Sequence, residues 1–412
     1  MYSVCKHGRP LVTVLTNPYP EFPVLATHLQ FAPGPGHDFF AAVPAASAVF
    51  LLRGPDPASE PYVTKTANLR RRLERLLSPP DEHSRRLNLR DRVHSIEYSL
   101  TGSDFESAFL LYQVLRLAFP KSYDKRLRLR FPPLAKLHLE NEFPRASITT
   151  RLGRFTSGNL YYGPFPSRPI AEKFINDVLD FFLIRRCVED LHPDPNHPGC
   201  VYSEMKMCLA PCFKGCTRDE YRDEVIRVED FLSTRGESLK RQISADRNRA
   251  SESLAFEQAA ALHARLEKLT PILQQMPEPV RRIDRMRALI IQPSAQPETV
   301  ALFRVDAGAI AGPAIFPLSA AEHAKSQSME ARIQSALDAL LPARPASLME
   351  HMEHLAILKR WCYRGTRKGE IFFANGKDEL PMRQIVRAIA RVYKGESSPT
   401  PPPESPQPMQ LL

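Results

Sequence analysis

Nowhere in the 412 residues does an apolar run approach the roughly 18 that a membrane-crossing helix needs, so no membrane span is expected. The start of the chain carries no charged-then-apolar secretory pattern. A reducing, cytoplasmic setting is therefore expected, and a disulfide scaffold is not. Cysteine is scarce outside one block: of seven in the chain, Cys5 and Cys362 stand alone and five lie between Cys187 and Cys216. Thiols gathered this way in a reducing compartment usually bind a soft metal or an iron–sulfur cluster, because thiolates are strong, soft ligands. The spacing Cys187-x12-Cys200-x7-Cys208-x3-Cys212 fits no short zinc-finger pattern, so it does not choose between zinc and a cluster. Ordinary buried cysteines remain the plain alternative. His192 and His197 sit among prolines inside the block and read as loop residues rather than ligands.

Charge is present in modest excess, +10 from 56 Lys plus Arg against 46 Asp plus Glu. It is concentrated in three foci: Lys65, Arg70, Arg71, Arg72 and Arg75; Lys121, Lys125, Arg126, Arg128 and Arg130; and a looser group of Lys359, Arg360, Arg364, Arg367 and Lys368. Such foci suit phosphate contacts, although a charge run is more often a solvated face. Residues 1–44 show no period and read as an irregular extension. Ser47 to Arg53 reads as a buried strand, Gly54-Pro55-Asp56-Pro57 as a turn, and Pro61 to Lys65 as the returning strand. Asn68 caps a helix with Leu69, Leu73, Leu76 and Leu77 on one side. A third strand is expected over Val93–Leu100 and a helix over Thr101–Phe119.

The cysteine block is preceded by Tyr161-Tyr162-Gly163-Pro164-Phe165-Pro166-Ser167, a helical stretch and Arg185-Arg186-Cys187, and it contains Cys208-Leu209-Ala210-Pro211-Cys212. These residues, in this order, resemble the UvrC excinuclease family over roughly residues 45 to 270. Gly199 departs from the family's proline before the second cysteine. The resemblance implies that Cys187, Cys200, Cys208 and Cys212 hold an iron–sulfur cluster, with zinc as the alternative. It also implies an N-terminal nuclease domain of the GIY-YIG kind, a fit best over Lys65 to Arg72. Tyr62, Lys65 and Arg72 would be its surviving catalytic residues, with Arg70, Arg71 and Arg75 contacting DNA. The naming motifs have changed: Phe50 stands for the first tyrosine, Thr64 for a glycine, and Leu111 for the metal-holding glutamate. A leucine carries no ligand atom and a phenylalanine no hydroxyl, so Mg²⁺-dependent hydrolysis is expected to be impaired. The escape from this reading is that Glu106 is the ligand.

After Cys216, Thr217-Arg218-Asp219-Glu220 forms a capping box, and helical periodicity follows to Gly236 and again from Leu239 to Leu269. Leu254 to His263 resembles the family's UVR motif, which pairs with the excinuclease B protein. Phe256, Ala260, Leu266 and Leu269 would form its apolar seam and Glu257 a rim charge; an intramolecular hairpin is the alternative. Beyond a linker, three strands and three helices suggest a small module, in which neither an Asp/Asp/His constellation in a suitable context nor room for both the family's second nuclease and its paired helix-hairpin-helix DNA binder is found.

The expected fold class is α+β and multidomain: extension 1–44, degenerate GIY-YIG-like domain 45–120, cysteine-rich connector 121–216, UVR-like hairpin 217–272, linker 273–279, C-terminal α+β module 280–395 and disordered tail 396–412. The expected function is nucleotide excision repair on damaged duplex DNA with an excinuclease B-like partner and little or no incision. A working endonuclease making one metal-dependent incision, or a regulatory protein without DNA binding, are the other readings.

Overall fold

A computed structural model describes residues 25–32, 37–56, 58–79, 86–319, 327–376 and 378–396. Residues 397–412 of the expected tail and Cys5 lie outside the described residues, as does most of the expected extension. The chain divides into two units, one reaching to Thr101 and including Ser107–Leu127, the other comprising Gly102–Glu106 and everything from Arg128. The architecture is α+β throughout.

The first unit is organised on strand β2. Its elements run β1 (Thr27–Gln30), α1 (His37–Ala42), β2 (Ala48–Arg53), β3 (Tyr62–Thr66), α2 (Leu69–Leu77), β4 (Ser95–Leu100), α3 (Asp104–Ala118), whose first turn belongs to the second unit, and α4 (Tyr123–Leu127). The antiparallel sheet has the order β1-β4-β2-β3. Every residue of β2 is buried because both of its faces are covered. Ala48, Phe50 and Leu52 face Leu69, Leu73, Leu76 and Leu77 of α2. Val49 and Leu51 face Val114, Leu110 and Leu111 of α3. Alternation along a strand dictates this division. The α2 helix forms because its leucines recur on one side and the Asn68 side chain accepts from the Arg71 N–H at 3.0 Å. The stretch read as an irregular extension contributes more than expected: Thr27–Gln30 is an edge strand on β4. Four residues with one face half-exposed leave too short a period to register as a strand.

The second unit begins with β5 (Leu134–Leu137), β6 (Ala146–Thr149), β7 (Leu160–Gly163) and α5 (Arg168–Leu179). The cysteine loop follows and holds α6 (Val201–Glu204). Then come α7 (Arg218–Ser233), α8 (Glu237–Glu252), α9 (Phe256–Gln275) and β8 (Arg281–Arg282). The sheet order is β6-β5-β7-β8, so the strand after the helices returns to pair with β7.

One core extends from Ala135 through α5 to Tyr221, Val225, Val228 and Phe231 of α7 and on to Leu269 and Val280. The expected boundary at residue 217 is therefore not a boundary in the core. The hairpin is α8 with α9 alone, broken at Ser253–Ala255 where Leu254 takes a φ of +59°. The expected linker is also corrected in part, since α9 runs to Gln275 with Pro271 inside it.

The C-terminal module comprises β9 (Arg287–Pro293), β10 (Thr299–Asp306), β11 (Ala309–Pro317), α10 (Met329–Ala339), α11 (Leu348–Cys362), β12 (Glu370–Phe373) and α12 (Met382–Lys394). The expected strands and helices are present, and β12, which alternation over four residues could not announce, completes the order β11-β10-β9-β12.

Candidate functional site: the cysteine loop, the hairpin and the altered cleft

The cysteine loop is held by buried polar groups at its entrance. Arg185, only 3% exposed, donates Nε to the Phe143 carbonyl at 2.8 Å and a terminal nitrogen to the Glu189 carbonyl at 2.7 Å. The same nitrogen approaches Cys187 Sγ at 3.6 Å. The Tyr221 hydroxyl receives the Arg185 backbone N–H at 2.8 Å and donates to the Pro144 carbonyl at 2.7 Å. Glu224 accepts the Leu183 N–H at 2.7 Å. These three side chains fix the chain where it leaves α5. The Arg-x-Cys pattern is the one sequence signal that could have marked Arg185, while Tyr221 and Glu224 read only as helix residues.

Within the loop, Cys200 caps α6, and Ala210 donates its N–H to Cys208 Sγ at 3.3 Å. Ala210 and Lys214 both take left-handed backbone conformations around Cys212, which bends the chain back on itself. The Cys212 carbonyl then accepts from Asp194 at 2.9 Å. Cys212 is buried and the other three are half-buried; none is in a disulfide. Burial pushes the Cys208 thiol up to about 11, and the charges of Cys187, Cys200 and Cys212 add to the rise. Cys212 is raised by burial and then by Cys200 and Cys187. Cys208 thus lies within reach of the charge of the other three thiols, and Cys212 within reach of Cys200 and Cys187. Cys216 is raised by burial, then by Glu220 and Cys212, and stands at the edge of the group.

Among the described residues no three His, Cys, Asp or Glu side chains stand in metal-holding geometry. The donor chemistry nonetheless suits a soft cation: four clustered thiols, two with N–H groups at their sulfurs, ionise together only if a positive centre offsets their repulsion. His192 and His197 are exposed, and His197 Nδ1 accepts from the Gly199 N–H at 3.0 Å, as a loop residue would. His351 and His354 are also structural, buried on α11 with bonds to the Ala307 carbonyl and the Ile310 N–H.

The hairpin exposes part of its expected seam and buries the rest. Phe256 is 66% exposed and Leu254 72% exposed, with Glu257 and Ala260 exposed beside them. Leu269 is 1% exposed, and Leu266 packs against the chain's own core. At 3.6 residues per turn, Leu269 lies about 140° around α9 from Phe256, so one face cannot carry both. The single seam expected from the sequence is therefore two faces, with Leu266 and Leu269 turned inward.

The residues expected to form a nuclease remnant are divided as well. The Arg72 guanidinium donates to the Tyr62 hydroxyl at 2.8 Å, and the Phe50 and Tyr62 rings lie 6.2 Å apart. Lys65 pairs in register with Val49 and so belongs to the other face of the sheet, the face that carries Leu111. Thr64 pairs with Phe50. Arg71 and Arg75 are exposed, as a DNA contact requires. Arg70 differs from expectation: it donates to the Val43 and Ala41 carbonyls at 2.7 and 2.9 Å, holding the segment after α1. Glu106 accepts the Gly102 N–H at 2.7 Å while Ser103 accepts the Glu106 N–H at 3.1 Å, a capping box at the start of α3. Burial raises its carboxyl to about 7. That arrangement occupies the carboxylate considered as an alternative metal ligand.

Residues 133–231 match the family described as UvrC/Cho excinuclease, middle domain. The chain is similar to UvrABC system protein C of Rickettsia rickettsii, 29% identical over 209 residues, which are 51% of this chain and 32% of that protein. The same protein of Rickettsia bellii is also 29% identical, and that of Rickettsia africae 28%, over the same shares. This chain thus spans about a third of the length of the curated relatives it matches. No solved structure matches it. No described helix is long and apolar enough to cross a membrane. Through the sheet, α5, the cysteine loop and α7, the chain is a distant and partial relative of the UvrABC system protein C family.

Proposed function

We propose that this protein acts in nucleotide excision repair as a divergent UvrC relative, binding damaged duplex DNA and an excinuclease B-like partner in the cytoplasm while cutting DNA weakly or not at all. The observation that carries the reading is the match over residues 133–231, which contains the whole cysteine loop. Cys187, Cys200, Cys208 and Cys212 would hold an iron–sulfur cluster or zinc, and Arg185, Tyr221 and Glu224 position the segment that brings them together. A bound metal would supply a cross-link that orders this loop, in which three of the four thiols are only half-buried.

Partner binding is assigned to the exposed Leu254–Phe256–Ala260 face of the hairpin. An aromatic standing in water beside small residues is suited to entering another helix pair. Weak incision is inferred from side-chain chemistry. Phe50 and Leu111 offer neither hydroxyl nor metal ligand, and removing one charge-stabilising group already costs factors of about 100 to 1,000. Tyr62 and Arg72 then contact phosphate without hydrolysing it, Lys65 standing on the other face of the sheet, and Mg²⁺ enters only if the site is active.

The test is an incision assay with purified protein, an excinuclease B-like partner and Mg²⁺ or Mn²⁺ on a lesion-bearing duplex. Binding without cutting is expected. Robust cutting that Arg72→Ala abolishes would replace this reading with that of a single-incision endonuclease.

A further inference from the structure

The helix α12 has an unusual division of charge. Ile385, Ala388, Ile389 and Val392 are buried in the core of the C-terminal module, each at most 4% exposed. The opposite face carries Arg383, Arg387, Ala390 and Lys394, all exposed, and the helix contains no acidic residue. At 3.6 residues per turn these four positions fall within about 60° of arc. Arg383 and Arg387 make no ion pair or side-chain hydrogen bond among the described residues.

The surrounding acids do not neutralise them. Glu370 is engaged by Arg391 at 2.8 and 3.0 Å, and Asp378 by Arg287 at 3.2 Å. Glu379, which precedes the helix, lies beside Asn375, and Glu396 stands 3.9 Å from Lys394 with both groups exposed. Two other arginines of the module show the contrast, because Arg304 of β10 is tied to Asp306 and Arg332 of α10 to backbone carbonyls.

We propose that the outer face of α12 is a contact surface for the phosphodiester backbone of duplex DNA. The inference rests on the reading that the protein works on DNA, and adds a site that lies outside the matched region. Arg383 and Arg387 are separated by about 6 Å along the helix and Lys394 by about 16 Å from Arg383. That is a span of about five steps at 3.4 Å along one strand. Ala390, between the cations, leaves room for the backbone to approach. A membrane fits the face less well. An amphipathic helix enters a bilayer surface with its apolar side, and the apolar side of α12 is consumed by the core.

The experiment measures affinity of the full chain for an undamaged duplex across a range of salt concentrations. Arg383→Gln with Arg387→Gln should weaken binding and lower the salt slope by about 1.8, the counterions of two phosphate contacts. Its thermal melt should be unchanged, because both side chains are exposed. Arg168→Gln with Lys173→Gln removes equal charge from α5, where both are ion-paired, and should leave the slope as it is. Unchanged affinity and slope in the α12 variant would overturn the surface while the DNA reading stands. Failure of the unmodified protein to bind duplex would overturn both. Loss of binding to phosphatidylserine vesicles with DNA binding intact would assign the face to membranes and overturn the proposal.

Discussion

Phe50 and Leu111 pack on opposite faces of the first sheet. Phe50 lies among the α2 leucines, and Leu111 of α3 lies against Val49 and Leu51. The two positions whose residues were expected to impair hydrolysis are therefore not neighbours.

It follows that Phe50→Tyr with Leu111→Glu should not restore Mg²⁺-dependent cutting. A new carboxylate at 111 would enter a largely apolar face whose one paired acid, Glu97 opposite Leu51, is already held by Arg53 at 2.8 Å, and the new hydroxyl would lie on the other side of the sheet. A nicking assay on the double variant checks this, and cutting above background would refute it.

Replacing any one of Cys187, Cys200, Cys208 or Cys212 by serine should remove most of the iron or zinc recovered after anaerobic purification, whereas Cys216→Ser should not. Elemental and sulfide analysis decides the matter. Arg185→Ala is expected to destabilise the loop with all four thiols present, because the buried Phe143 carbonyl loses its donor, at a cost of about 1–3 kcal/mol, and the part-buried Glu189 carbonyl loses its own as well. Denaturant unfolding of that variant should show an earlier midpoint.

On α9, two truncations should behave oppositely. Phe256→Ala leaves stability unchanged but weakens capture of an excinuclease B-like helical hairpin by about 2 kcal/mol, since the ring is exposed in the free protein. Leu269→Ala should cost about 2–5 kcal/mol of stability through the cavity it leaves. Calorimetric binding and thermal melts on both variants separate the two faces. Equal partner affinity for wild type and Phe256→Ala would mean that the exposed face is not the docking face.

Glu106 makes folding pH-dependent. Its carboxyl is raised by burial from 4.5 to about 7, so the folded state holds the proton more tightly than the unfolded chain. The associated stability is complete below about 4.5 and is lost as the pH rises through about 7. Glu106→Gln should flatten that decline, and the difference between wild-type and variant denaturation midpoints from pH 4.5 to 8 isolates it. Stabilisation by Mg²⁺ in wild type and not in the variant would instead identify Glu106 as a metal ligand.

Local pattern alone determined much of this protein. The leucine spacing of α2, the capping box before α7 and the apolar runs of β2, β9 and β10 each specify their element within a few residues, because burial on one side imposes a period. The order of the cysteines and the motif around them likewise pointed to the family later matched over residues 133–231.

Tertiary structure alone decided which side of an element meets which neighbour. A helix of mixed Ala and Leu such as α9 has no single obvious face, so only the position of the core turns Leu269 inward and leaves Phe256 in water. Short strands such as β1 and β12 exist because a longer neighbour offers unpaired backbone groups, which no four-residue window reveals. Arg70 likewise carries the same charge as Arg71, and only the carbonyls of Ala41 and Val43 separate a structural guanidinium from an exposed one. The physical reason is common to all three. Hydrogen-bond partners and burial depend on residues distant in the chain, while periodicity records only that some face will be buried.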